Sequence, residues 1–162
     1  MNKYLRSILV FSVCICIFGL GVNVFAKEAV GLSDDESVVV GNLDARLRST
    51  SLPTTGLDLS KQSYKANVIR AVKGWLYTDV YFKVGSNRRI YISYSFTSNN
   101  GENARIGVYD MTDGYWVQEK VGLSGNMIVS DLNTSHKYVV AFAGYQTGFG
   151  STIVQGTAII TN

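Results

Sequence analysis

The chain has 162 residues, 46% of them hydrophobic and 17% charged, with a formal net charge of +3, one histidine, two cysteines and one proline. That length suits one domain and not comfortably two. The residue counts exclude a disulfide framework and argue against a zinc site built from Cys and His. The small charge offers no basic footprint for nucleic acid.

The N-terminus carries Lys3 and Arg6 ahead of an apolar run from Ile8 to Leu20, and Val24-Phe25-Ala26 precedes Lys27. A positive segment, an apolar stretch and small or aliphatic residues before a cut form the pattern of a signal peptide. Residues 1–26 are therefore expected to be removed on export, leaving a secreted, extracellular chain without a transmembrane anchor. The run is short for a span of about 20 apolar residues, and Gly19, Gly21 and Asn23 interrupt it. Cys14 and Cys16 follow Val13 and Ile15 inside the run, which does not match a lipoprotein signal, so both cysteines leave with it. Lys3 and Arg6 leave as well and no acid does, which takes the formal net charge from +3 to +1. A cysteine-free exported domain suits a bacterial protein.

Residues 27–61 are rich in Ser, Thr, Gly, Asp and Leu with little periodicity and read as a linker or irregular N-terminal arm. Ser33-Asp34-Asp35-Glu36 has the form of a capping box. Val38-Val39-Val40-Gly41 is poor material for the short helix that box would start. Asp34, Asp35 and Glu36 read equally as a solvated linker or as Ca²⁺ ligands. Leu52-Pro53-Thr54-Thr55-Gly56 matches the LPxTG sorting signal. That signal works near a C-terminus, before an apolar span and a basic tail, whereas here a β-rich region follows. The simpler reading is a turn.

From residue 62 onward Tyr, Val, Ile, Thr and Phe dominate, with turn residues every eight to twelve positions. This predicts an antiparallel β-sandwich, jelly-roll-like, of about seven or eight strands over residues 62–162. In Arg89–Phe96, Ile90, Ile92, Tyr94 and Phe96 share one face, and the period of two places them in the core. Other predicted strands are Tyr64–Val72, Trp75–Val84, Ala104–Tyr109, Tyr115–Val121, Met127–Leu132, Lys137–Tyr145 and Thr152–Thr161. Turns are predicted at Gly85-Ser86-Asn87, Asn99-Asn100-Gly101, Asp113-Gly114, Ser124-Gly125-Asn126 and Gly148-Phe149-Gly150.

Motifs for chemistry are sparse. His136 is predicted at the surface, at a strand start, and no Gly-x-Ser-x-Gly elbow supports a Ser-His-Asp triad around it. Asp110 and Asp113 flank a turn. They read as a hairpin whose carboxylates bond the local backbone, with Ca²⁺ binding or work as an acid and base pair as the alternatives. Lys83, Arg88 and Arg89 at one hairpin tip read as a solvated turn. Aromatics are the remaining feature. Tyr91 is expected to face outward, and Tyr109, Tyr115, Trp116 and Tyr145 fall at or near turns or strand ends. Exposed rings there can stack on sugar faces or anchor a protein, although tyrosine is also an ordinary strand residue.

Trp75-Leu76-Tyr77-Thr78-Asp79-Val80-Tyr81-Phe82-Lys83-Val84-Gly85, followed by Arg89–Phe96, resembles the opening of bacterial pre-peptidase C-terminal domains. Gly107-Val108-Tyr109-Asp110-Met111-Thr112-Asp113-Gly114 is similar to their Leu-Tyr-Asp-x-x-Gly hairpin. Leu132 to Ala143 is similar to their Gly-Thr-Tyr-Tyr strand, with Ser135-His136-Lys137 in place of Gly-Thr. The resemblance spans residues 75–161. It implies a jelly-roll-like sandwich without catalytic residues, of a kind that in some cases binds matrix polymers or Ca²⁺. The expected function is a secreted, non-enzymatic binding module. Its partner would be a glycan, a cell-wall polymer or an extracellular protein, met through exposed aromatics. A structural protein that assembles through edge strands or the N-terminal arm is the second expectation, and a membrane-active toxin the third.

Overall fold

Runs that alternate β-branched or aromatic residues with small polar ones fit a pleated surface with one buried face, and this chain folds them as strands. The computed structural model describes residues 37–45, 51–72, 74–145 and 152–162. Residues 1–26, the acidic residues Asp34, Asp35 and Glu36, and the predicted Gly148-Phe149-Gly150 turn lie outside them. The strands are β1 (Ser37–Asp44), β2 (Gly56–Asp58), β3 (Gln62–Ala71), β4 (Leu76–Tyr77), β5 (Tyr81–Lys83), β6 (Ile90–Ser98), β7 (Ala104–Asp110), β8 (Tyr115–Val121), β9 (Ser124–Val129), β10 (Tyr138–Gly144) and β11 (Val154–Thr161). Among the described residues there is no helix, and so none long and apolar enough to cross a membrane.

The strands form two packed sheets, a β-sandwich, as the sequence predicts. One sheet has the order β1-β3-β11-β6-β9, the other β2-β5-β10-β7-β8, with β4 also paired to β10. Most successive strands switch sheets, so each sheet is stitched from distant parts of the chain. The β7–β8 hairpin is an exception, both strands lying side by side in one sheet. Ile90, Ile92, Tyr94 and Phe96 of β6 lie in the core, as their alternation requires. Facing them from the other sheet are Ile106 and Val108 of β7 and Tyr138, Val140 and Phe142 of β10. Each such large side chain contributes about 1.5–3 kcal/mol on burial.

Four features differ from the sequence reading. Residues 37–44 and 56–58 are not an irregular arm. β1 runs parallel to β3 and β2 parallel to β5, so the sandwich is mixed and begins upstream of residue 62. Three consecutive β-branched valines at 38–40 are stiff at χ1 and favour an extended chain over a helix. The predicted strand Trp75–Val84 is broken at Thr78-Asp79-Val80. There the Thr78 N–H donates to Val140 O at 2.8 Å and the Thr78 hydroxyl to Val80 O at 2.9 Å, while the Tyr64 hydroxyl donates to Asp79. Ser124-Gly125-Asn126 belongs to β9 rather than to a turn, and the chain instead crosses between the sheets at Gly122-Leu123. Among the described residues the strands number eleven rather than seven or eight, because the arm supplies β1 and β2 and the broken strand leaves two short ones where one is predicted.

Two positions in one sheet separate a requirement from a tolerance. Gly156 holds φ at +148° where β11 shifts register against β3, and a Cβ there would stand 2.2 Å from the Ser95 carbonyl oxygen. The Tyr94 hydroxyl is buried without a hydrogen-bond partner among the described residues. Gly156→Ala is expected to lower unfolding free energy by about 1–3 kcal/mol. Tyr94→Phe is expected to leave it within about 1 kcal/mol of the parent, since no bond is lost. Urea denaturation of the two variants checks both, and equal losses would contradict this account.

Candidate functional site

β10 is buried along its whole length, yet only Tyr138, Val140 and Phe142 belong to the core between the sheets. Val139, Ala141 and Ala143 point the other way, and aromatic side chains cover that side. The register explains which ones. Ala141 stands opposite Tyr77 on one side and Gly107 on the other, Val139 opposite Tyr109, and Ala143 opposite Arg105. Tyr109 in turn stands opposite Trp116. Strand alternation sends all of these to the outer face, and Trp75 shares the phase of Tyr77.

The rings form one cluster. Trp75 and Trp116 have centroids 4.3 Å apart, Tyr109 meets Trp116 edge-on at 5.1 Å, and Tyr77 lies nearly parallel to Trp116 at 6.4 Å. All four are half-buried. Close approach depends on Gly107, where a Cβ would sit 2.6 Å from the Trp116 ring and 3.2 Å from that of Trp75. Arg105 lies 4.7 Å from the Trp75 centroid and bonds Glu119 at 2.6 Å, placing polar groups at the rim of the cluster. Farther along the same sheet the Lys137 ammonium lies 5.0 Å from the Tyr81 ring. A ring pair contributes about 0.5–1.5 kcal/mol beyond area burial. Burial and the neighbouring Tyr109 push the Tyr77 phenol up.

Of the aromatics singled out in the sequence, Tyr109 and Trp116 belong to this cluster. Tyr91 does face outward, but on the opposite sheet, beside Thr161 and Ile128. Tyr115 is 51% exposed at the hairpin tip and lies one residue out of phase with Trp116. Tyr145 follows β10 and donates its N–H to Asn103 O at 2.9 Å, with no ring contact to the cluster among the described residues. Sequence reasoning missed Trp75, Tyr77, Arg105 and Gly107 as site residues. The Trp75-x-Tyr77 spacing was the available signal, since residues two apart on a strand share a face.

A second cluster lies at the β7–β8 tip. The Asp110 carboxylate is fully buried. Its Oδ1 accepts the N–H groups of Thr112 (2.8 Å) and Asp113 (3.2 Å), which bears out the backbone-bonded hairpin. Its Oδ2 meets His136 Nδ1 at 2.8 Å, and Asp113 Oδ2 is 3.7 Å from the same nitrogen. His136 is half-buried at the surface rather than freely exposed; 17% of its side chain is exposed, because it bridges to the buried acid. Its Nε2 lies 2.9 Å from the Asn133 amide nitrogen, so no hydroxyl occupies the place a triad's nucleophile would take.

Asp110, Asp113 and His136 could offer one ligand atom each to a metal ion. They suit neither of the usual choices. Ca²⁺ takes six to eight oxygens, whereas a nitrogen is the nearest neighbour of the buried carboxylate. A softer ion would need a bare Nδ1 and hence a proton on Nε2, and Nε2 faces an N–H donor. That amide cannot simply turn over, because its oxygen accepts both the N–H and the hydroxyl of Ser135 at 3.0 and 2.8 Å. The hydrogen-bond network instead assigns a proton to Nδ1, donated to Asp110 Oδ2, with Nε2 accepting from Asn133 in the neutral ring.

The bond to Asp110 raises the His136 pKa, burial lowers it, and the charges of Asp110 and Asp113 raise it further. The Asn133 contact favours the neutral ring. A charge-assisted bond is roughly twice as strong as a neutral one, so the carboxylates prevail. A pKa raised on folding gives stability that is fully present below the unfolded value of 6.5 and is lost as pH rises through the folded value.

Comparison with protein-family models finds no match, and no curated protein matches the chain.

As the chain has one histidine, its imidazole signals are unambiguous in a ¹H–¹³C NMR titration. The midpoint is expected above 6.5 in the folded protein and lower in Asp110→Asn. A folded midpoint below 6.5 would overturn the assignment.

Proposed function

We propose that this chain is an exported, non-enzymatic binding module that takes the flat faces of sugar rings in a surface polymer. The observation that carries the reading is the outer aromatic cluster of Trp75, Tyr77, Tyr109 and Trp116. These rings are not needed to join the two sheets, and they remain half-exposed. Indole and phenol faces stack on the C–H faces of pyranose rings, and the rim pair Arg105–Glu119 offers both donors and acceptors to sugar hydroxyls. The signal-peptide pattern of residues 1–26 supports export. The resemblance of residues 75–161 to pre-peptidase C-terminal domains agrees with a role in attachment rather than catalysis.

Self-association is a second reading with its own observation. β1 stands at the end of its sheet order, and Val38 and Val40 are 45% and 55% exposed on it. A long edge strand with apolar side chains and little charge invites pairing with another copy.

Incubation of the purified protein with cellulose, chitin, bacterial cell walls and collagen, with and without Ca²⁺, tests the first reading. Selective retention on a polysaccharide is expected. Trp116→Ala should weaken it by about 2 kcal/mol, roughly 30-fold, with the far-UV circular dichroism unchanged. Retention that survives Trp116→Ala would move the site elsewhere. Sedimentation velocity tests the second reading, in which a concentration-dependent dimer should disappear in Val40→Lys.

A further inference from the structure

The aromatic cluster and the proton-holding cluster share one hairpin. Tyr109 and Asp110 are consecutive in β7, and Trp116 and Tyr115 stand opposite them in β8. The strand pairing shifts register between Val108 and Tyr109, so the ladder that would stiffen this end is interrupted. β8 is the outer strand of its sheet, and its residues are half-buried or exposed. The tip is tied to the chain entering β10 by three bonds. The Met111 N–H donates to Lys137 O at 2.8 Å, the Lys137 N–H donates to the Thr112 hydroxyl at 3.0 Å, and His136 Nδ1 bonds Asp110 at 2.8 Å. Only the last of these carries a charge that changes near neutral pH.

We propose that protonation of His136 tightens the β7–β8 tip against β10 and thereby orders Tyr109 and Trp116, so that the aromatic surface binds its ligand more strongly in mild acid. The inference rests on the reading of that surface as a sugar-binding face and adds its regulation. In the protonated state the imidazolium stands between a fully buried carboxylate and a partly exposed one. Loss of the proton leaves Asp110 buried with a neutral donor in place of a cation, which weakens the attachment of the hairpin.

The groups facing His136 are few. Asp110 comes from β7 and Asp113 from the turn. From β10 the Tyr138 ring lies 6.3 Å away. Tyr115, across from Asp110, adds a phenol at the same tip. The Asn133 amide is uncharged but directs its N–H at Nε2, a bond the ring gives up on protonation and the two carboxylates outweigh. Lys137 turns its ammonium to Tyr81. Burial pushes the Tyr77 and Tyr138 phenols upward, away from neutrality. Among unperturbed side chains only histidine changes charge between pH 5 and 8, and this chain has one.

Both tryptophans of the chain lie in the aromatic cluster, so tryptophan emission reports on it without any ligand. The experiment records emission of the full chain from pH 5 to 9 beside the NMR titration of His136. A single-proton change in emission with the imidazole's midpoint is expected. Asp113→Asn alters a 52%-exposed carboxylate and should leave the fold intact, and both midpoints should then move down together. His136→Gln should abolish the emission change. Flat emission while the ring titrates, or an emission midpoint that stays put in Asp113→Asn, overturns the coupling. Retention on the polysaccharide chosen above should be several-fold stronger at pH 5.5 than at pH 8.5. Equal retention at both, with emission changing, overturns the link to affinity. No retention at any pH sinks the sugar-binding reading instead, and the emission and imidazole midpoints still decide the coupling.

Discussion

A strand buried on both faces needs a cover on each, and β10 has two different ones. On the inside, Tyr138, Val140 and Phe142 pack into the core between the sheets. On the outside, Val139, Ala141 and Ala143 are covered by rings carried on the β4 segment, β7 and β8. The two covers explain the composition of β10, which has no charged residue. They also explain the small residues. Ala141 and Gly107 stand opposite each other where the indoles come down on the sheet. Larger side chains there would lift the rings and expose the strand below.

A buried carboxylate imposes the second constraint. Asp110 is removed from water and must be satisfied by the protein, and two backbone N–H groups plus the imidazole do this. The same bonds shape the turn and join it to the segment before β10. Because Asp110 follows Tyr109 directly, the electrostatics of the tip and the placement of the outer rings belong to one piece of backbone. Stability and candidate function therefore meet at the β7–β8 hairpin, not at the inter-sheet core.

Much of this was legible before any coordinates. The alternation in Ile90–Phe96 identified a strand and its buried face, and the Asp113-Gly114 pair located the hairpin that became the site. Tyr109 and Trp116 stand out as aromatics near that turn, although the alternation gives an outward phase only to Tyr91. Less visible were the strands upstream of residue 62. Val38-Val39-Val40 sits among polar residues that suggest a loose arm, and its partner β3 is more than twenty positions away. Likewise, the break at Thr78-Asp79-Val80 is hard to read locally, since apart from the Thr78 hydroxyl bond to Val80 O the bonds that hold it come from Val140 and Tyr64. The polar neighbours Asn133, Thr134 and Ser135 suggest a surface position for His136. Its actual environment is set by an aspartate 26 residues earlier.

By itself the sequence determined the class of the fold, the core face of its clearest strand, the hairpin turn and the presence of aromatics beside it. These follow from side-chain period and turn chemistry, which act over a few residues. Only the tertiary structure decided that Trp75 and Tyr77 join Trp116 while Tyr91 and Tyr145 do not, that Asp110 is buried, and that His136 reaches it. Those outcomes depend on which strands become neighbours and in what register, and register is a property of chain segments that meet only after the sheets have formed.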